Sequence, residues 1–205
     1  RLAQLGALAP LLPAGADSAR LADAVRASDE ALVELGHRFA GFSASRRATL
    51  LATVAVSGNR RHTLRWLRHL HVGRTQTAVA IELAERGPAI VRALQSLHGL
   101  RDSRLYRLLD PLCAETLAVL WARGDALAHE RIERFLGELS GVRLAVSGAD
   151  LIAMGATPGV GFSAILARAL DDRLDGLVEG RDAELANLRR LATRAGLVGQ
   201  RKDRA

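Results

Sequence analysis

Residues 126–139 read Ala-Leu-Ala-His-Glu-Arg-Ile-Glu-Arg-Phe-Leu-Gly-Glu-Leu, and this stretch decides the fold class. Its apolar residues recur every three or four positions, a spacing that places them on one face of an α-helix. The residues on that face are Ala128, Ile132, Phe135, Leu136 and Leu139. Charged residues occupy most of the other positions. The pattern therefore predicts an amphipathic helix that packs against a helical core.

The same periodicity recurs along almost the whole chain. Leu and Ala, which favour helices, supply most of the apolar residues, whereas aromatic residues make up only 3%. The predicted helices span 2–9, 18–39, 60–72, 75–86, 88–97, 104–109, 114–123 and 126–139. A further helix ends at Val56 and begins at Ser43 or Ser45. A short helix follows from Ser147 to Met154, and a longer one begins near Phe162. We therefore predict an all-α fold.

Residues 141–147 are the one stretch with strand character, but no partner strand is evident. We interpret them as an extended connector between a helical body, residues 1–140, and a compact helical tail, residues 147–196. The polar residues 197–205 are expected to fray. Because the chain starts within a helical pattern and has no initiator Met, we expect it to be a fragment of a larger protein.

The single cysteine and the hydropathy pattern limit the cellular environment. Cys113 has no second cysteine with which to form an internal disulfide, which favours a reducing compartment. No apolar run approaches the roughly 18–20 residues that a membrane-spanning helix needs. We expect a cytoplasmic protein with no membrane partner.

Positive charge is concentrated between Glu34 and Glu82, where the sequence has no acidic residue. This acid-free segment carries eight arginines, although the formal net charge of the whole chain is only +7. A field of one sign attracts polyanions, whereas an ordinary solvated face interleaves both signs. We therefore predict that nucleic acid contacts this segment. The candidate residues are Arg46, Arg47, Arg60, Arg61, Arg65, Arg68 and Arg74.

The sequence lacks the motifs of several enzyme classes. It contains no Asp-x-Asp pair to hold catalytic metal ions and no Gly-x-x-x-x-Gly-Lys phosphate loop. Residues 159–164 match the Gly-x-Gly-x-x-Ala dinucleotide fingerprint, but a short helix precedes them where that fingerprint needs a strand. We assign no catalytic residue, metal ligand or cofactor to this chain.

A glycine-rich hairpin joins the two tail helices. Gly159 and Gly161 would let the backbone approach a ligand, and the N–H groups that begin the next helix can bind a phosphate oxygen. Arg168 and Arg173 follow at spacings that keep at least one near this face, although Arg173 could equally pair with Asp172 or Glu179. The alternative is a tight turn between helices that binds nothing.

The tail resembles that of bacterial-type tRNA nucleotidyltransferases and their poly(A) polymerase relatives. The matching stretches are residues 148–155, Pro158-Gly159, Ile165-Leu166, Leu174-Asp175-Gly176 and Glu184-Leu185. Residues 104–109, 111–112 and 115–117 resemble the body helices, and residues 2–6 and 11–13 resemble the region after the neck. Two positions depart from the family pattern, since Val160 stands where Pro is usual and Ser163 where Gly is usual.

This resemblance implies a body and tail that grip the acceptor-TΨC limb of tRNA. It also implies that a catalytic head and a nucleotide-templating neck, which use ATP or CTP and Mg²⁺, precede Arg1 in the parent enzyme. Two other functions remain open. One is a helix-hairpin-helix module that binds DNA without sequence preference, and the other is a structural helical domain that assembles with a partner.

Overall fold

The computed structural model describes residues 18–57, 63, 65–67, 73–96 and 99–198. The predicted all-α fold is confirmed, and residues 141–147 form no strand. The helices are α1 (Ser18–Arg38), α2 (Arg46–Val56), α3 (Arg74–Leu94), α4 (Asp102–Leu109), α5 (Ala114–Arg123), α6 (Ala126–Arg134), α7 (Gly148–Ala153), α8 (Gly161–Leu174) and α9 (Arg181–Arg194). Thr63 and residues 65–67 are also helical, and a π-helical turn, Phe135–Leu139, follows α6. The helix predicted at 2–9 lies outside the described residues.

Short polar side chains begin several helices where the sequence predicted them. The Ser45 hydroxyl accepts the Ala48 N–H at the start of α2. At α7, Ser147 and Asp150 form a capping box, in which the Asp150 carboxylate accepts the Ser147 N–H at 2.7 Å. That backbone hydrogen bond holds the pKa of Asp150 below its usual range, with a further contribution from Arg181. The box is therefore formed at neutral pH.

Helix α3 corrects the prediction of two helices divided at Pro88. It runs unbroken from Arg74 to Leu94 with Pro88 inside it. Gly87 has no Cβ to clash with the proline ring, so the residue before Pro88 can keep helical geometry. Leu83, Gly87, Ile90 and Leu94 are all buried on one face. The packing on both sides of Pro88 thus offsets the loss of one backbone hydrogen bond.

The chain forms two compact units. The first contains residues up to 99 and 108–137, and within it α2 packs against α1, α3 and α5. The largest fully buried side chains of this unit include Leu35, Leu83, Leu94, Leu120 and Ile132. Within the described part of the chain, no helix is long and apolar enough to cross a membrane.

A buried arginine holds α6 against the end of α3 in the first unit. Arg131 is only 9% exposed, and its Nη1 donates to the carbonyls of Ala93 at 3.1 Å and Leu94 at 2.8 Å. The last carbonyls of a helix have no intrahelical donor and carry the negative end of the helix dipole. The guanidinium of Arg131 supplies a charged donor to both carbonyls and a charge opposite to the end of the helix dipole, while Ala93 also accepts the Ser96 N–H at 3.4 Å.

The described part of the second unit comprises residues 100–107 and 138–198. The sequence placed residues 100–107 in the body, but side chains along α4 are bonded to the C-terminal end of α8 and to its C-cap residue, Asp175. Asp175 accepts the Ser103 N–H at 2.8 Å and the Ser103 hydroxyl at 3.0 Å, while Arg107 forms two hydrogen bonds with Asp171. The hydrogen bonds with Asp171 raise the pKa of Arg107.

The core of the second unit is formed by α7, α8, α9 and the connector. Its buried members are Val146, Leu151, Ala156, Ile165, Ala169, Leu188 and Ala192. Leu197 and Val198 pack against this core. The prediction that the chain frays from residue 197 is therefore wrong for these two residues, because they cover apolar surface. The rest of the predicted frayed end, residues 199–205, lies outside the described part.

We predict that Arg131→Leu destabilises the protein by about 2–3 kcal/mol, because it leaves two helix-terminal carbonyls without their charged donor. Urea unfolding measures this change. The matched control is Arg47→Leu, which removes the same charge from an exposed position and should change stability by less than about 0.5 kcal/mol. Equal effects of the two substitutions would show that the Arg131 hydrogen bonds contribute nothing specific.

Candidate nucleic-acid interface

Three of the predicted nucleic-acid contacts are exposed and have no carboxylate partner in the part of the chain that the structure describes. Arg47, Arg65 and Arg74 are all exposed, and none forms an ion pair with another described residue. Because no acid among the described residues neutralises these guanidinium groups, their charge is available to an external anion. We call these three residues the unpaired arginines.

The N-termini of α2 and α3 add to this positive charge. Arg47 lies in the first turn of α2 and Arg74 begins α3, and neither helix has an acidic residue in its first turn. A helix N-terminus carries the positive end of the helix dipole, where acidic side chains are favourable and basic ones are not. Arginines at these two positions cost stability but strengthen the attraction for an anion.

Arg46 differs from its neighbour because it already has a partner. Its Nη2 donates to Asp29 Oδ2 at 2.8 Å, and its Nε donates to Oδ1 of the same carboxylate. This bidentate hydrogen bonding holds the pKa of Asp29 below its usual range and raises that of Arg46. Arg46 therefore links α2 to α1, and its charge is largely compensated. The sequence could not show this because Asp29 lies before the acid-free segment.

Arg65 is placed by the packing of its helical turn. Thr63 is buried and its hydroxyl donates to the Ala55 carbonyl at 2.7 Å, while Leu67 is only 2% exposed. These two residues face the core, and Arg65 between them faces solvent. Trp66 is half-buried. The other predicted contacts of this stretch, Arg60, Arg61 and Arg68, lie outside the described residues.

The glycine-rich hairpin links α7 to α8 in the second unit. Gly155 ends the first helix with a φ of +90°, a left-handed conformation that favours glycine. Pro158, Gly159 and Val160 are exposed, and Val160 is 95% exposed. A turn of the backbone closes the hairpin, because the Phe162 N–H donates to the Gly159 carbonyl at 3.1 Å.

The two hairpin glycines have different surroundings. A Cβ at Gly159 would have only the Thr157 carbonyl near it, at 3.9 Å, so this backbone is open to an approaching group. A Cβ at Gly161 would lie 3.1 Å from Leu197 Cδ1. The absence of a side chain at Gly161 is therefore explained by packing inside the unit, and the phosphate contact predicted at both glycines stays a prediction.

The two tail arginines have acidic partners. Arg168 Nε lies 3.5 Å from Asp172 Oδ1, and Arg173 Nε lies 3.5 Å from Glu184 Oε1. Arg173 also lies 3.8 Å from Glu179, one of the two partners considered from the sequence. Asp172 and Glu184 are 3% and 2% exposed, and buried carboxylates need charged or hydrogen-bonding partners. Arg168 and Arg173 thus help to neutralise these buried carboxylates, and the RNA contact predicted for them stays a prediction.

Two arginines that the sequence did not single out lie beside a cavity in the first unit. Arg92 and Arg123 are exposed, and neither has an ion pair within the described ranges. Arg92 and Arg123 are 31 positions apart in the sequence and lie on different helices, so no sequence pattern links them. Only the fold brings them to one cavity.

The described residues contain no cluster of three or more His, Cys, Asp or Glu that could hold a metal ion.

We predict that Gly161→Val lowers the melting temperature, because the new side chain must displace Leu197. The effect should be smaller when Leu197→Ala is also present, since the shorter side chain leaves room. A double-mutant cycle by thermal unfolding gives this coupling, expected at about 1 kcal/mol. Additive effects of the two substitutions would contradict the assigned packing.

Comparison of the chain with models of known protein families, with curated proteins and with solved structures finds no match.

Proposed function

We propose that this chain binds RNA, and that its ligand is the acceptor-TΨC limb of tRNA, held for a nucleotidyl-transferring enzyme. The observation that carries the proposal is the set of unpaired arginines, Arg47, Arg65 and Arg74, in a segment without acids. Phosphate oxygens are the acceptors that exposed guanidinium groups favour, and a folded RNA presents them in a regular array.

The contrast with other arginines supports an external partner for these three. Arg26, Arg38, Arg86, Arg101, Arg107 and Arg181 each have a carboxylate within 4 Å. Many arginines of this protein are therefore neutralised within the chain. Others outside the acid-free segment also lack an ion pair among the described residues, namely Arg92, Arg104, Arg123, Arg189 and Arg194. The unpaired arginines differ from these because they lie in one segment that contains no acid, and this favours a shared polyanionic ligand.

The hairpin would add a weaker contact that does not depend on RNA sequence. Gly159 is exposed with open space where a Cβ would lie, and α8 begins two residues later without a side-chain cap. Backbone N–H groups at such a position can bind a phosphate oxygen. Contacts to phosphates position an RNA without reading its bases.

The catalytic part of the proposal follows from the family that the tail resembles. In that family the head and neck bind ATP or CTP with Mg²⁺ and carry out nucleotide addition, while the body and tail hold tRNA. The role we propose for this chain is the second one. Its own residues would hold and orient the RNA, and the transfer step would take place on another domain of the parent enzyme.

The proposal predicts a strong salt dependence of tRNA binding that the unpaired arginines control. Changing Arg47, Arg65 and Arg74 together to Gln should reduce the slope of log K against log salt concentration by about two to three, because about three phosphate contacts are lost. Fluorescence anisotropy of labelled tRNA over a range of salt concentrations measures both slopes.

A matched control removes the same charge elsewhere. Arg26, Arg86 and Arg101 are exposed but each is near a carboxylate, so their joint change to Gln should leave the slope within about half a unit of the unchanged protein. If both triple variants reduce the slope equally, net charge alone governs binding and the proposed interface is wrong.

A competition experiment separates RNA from DNA as the ligand. Unlabelled tRNA should displace labelled tRNA at least tenfold more effectively than duplex DNA of equal phosphate content, because an A-form limb differs in groove shape and carries 2′-hydroxyls. Equal competition would favour a DNA-binding helix-hairpin-helix module. Absence of any salt-sensitive binding would favour a structural helical domain.

A further inference from the structure

The first unit contains a cavity of about 450 Å³ that plays no part in the proposed RNA interface. It lies where the C-terminal ends of α2 and α5 meet the second half of α3. Its volume is within the range of about 300–1,000 Å³ typical of small-molecule sites. All of its described lining belongs to the first unit, so it is a feature of one compact body.

The floor of this cavity is apolar. Val56, Leu83, Val91 and Leu120 line it, and Leu83 and Leu120 are each only 1% exposed. Gly87 also lines it and has no side chain, which leaves space beside the helix. Burial of such a surface against an apolar ligand contributes about 25 cal/mol of binding free energy for each Å² removed from water.

Arg92 and Arg123 stand at the same cavity and supply its charge. Both side chains are exposed, and neither guanidinium is paired with a carboxylate of the described chain. Each lies in the last turn of its helix, where a cation is favourable toward the helix dipole. A favourable interaction with the helix dipole requires only one cation at each helix end. It does not explain why the two arginines lie beside an apolar cavity.

Pro88 removes one backbone hydrogen bond beside the cavity. Proline has no N–H, so the carbonyl of Ala84 lacks the donor that would normally come from four residues later. Ala84 and Pro88 both line the cavity. Gln95 lines it as well and offers a side-chain amide that can donate and accept. The cavity therefore combines an apolar floor with a few polar groups, as ligand sites do.

We infer that this cavity binds a small organic anion with a compact apolar body. The body rests on Leu83, Val91 and Leu120, and the anionic group lies between the guanidinium groups of Arg92 and Arg123. A carboxylate, sulfonate or phosphate monoester satisfies the charge requirement equally. The site is separate from the unpaired arginines, so the test of this inference does not depend on whether the protein binds RNA.

The probe is 1-anilinonaphthalene-8-sulfonate, an aromatic anion whose fluorescence rises on leaving water. Titration of the folded chain should show one saturable site. Changing Arg92 and Arg123 together to Gln should weaken the affinity about tenfold, since two charge-assisted contacts are lost. Ala84→Phe, which places a ring in the cavity, should abolish saturable binding.

The control variant changes Arg26 and Arg101 to Gln, two exposed arginines that do not line the cavity, and it should leave the probe affinity unchanged. Thermal unfolding of each variant confirms that it is folded, and the arginine variants keep the test decisive if Ala84→Phe does not fold. The inference is overturned if no saturable site exists, or if the two double arginine variants bind the probe equally well.

Discussion

Close approach of helices through small side chains is the constraint on which the first unit depends. The face that α2 buries consists of Ala48, Thr49, Ala52, Thr53 and Ala55. Ala80 of α3 and Ala118 of α5 are also fully buried. With few aromatic residues in the chain, the core is filled by bringing backbones together and letting leucines interlock around the contact.

The packing of α2 also determines which of its side chains are exposed and can carry charge. The buried threonines of α2 satisfy their hydroxyls locally, since Thr49 donates to the Ser45 carbonyl and Thr53 to the Thr49 carbonyl. No polar group of the buried face therefore needs an arginine partner. Arg46 and Arg47 are left at the exposed start of the helix, where Asp29 neutralises the first and nothing described neutralises the second. One local geometry thus produces both a structural ion pair and a free cation.

The features that depend only on neighbouring residues could be predicted from the sequence. Helical periodicity gave the fold class, and Ser45 and the Ser147–Asp150 box marked helix starts correctly. Contacts that depend on a residue distant in the sequence could not be predicted. Nothing in the local pattern shows that Asp29 binds Arg46, that Leu197 fills the space at Gly161, or that the buried Glu184 engages Arg173. The unbroken helix at Pro88 likewise required the burial of both flanking turns.

We propose that tRNA phosphates lie against the unpaired arginines. Modification of arginine by phenylglyoxal, read by mass spectrometry with and without saturating tRNA, tests this residue by residue. The account predicts that tRNA protects Arg47, Arg65 and Arg74 several-fold while exposed arginines such as Arg26 and Arg86 react at unchanged rates. Uniform protection of all these arginines, or none at the three, would contradict it.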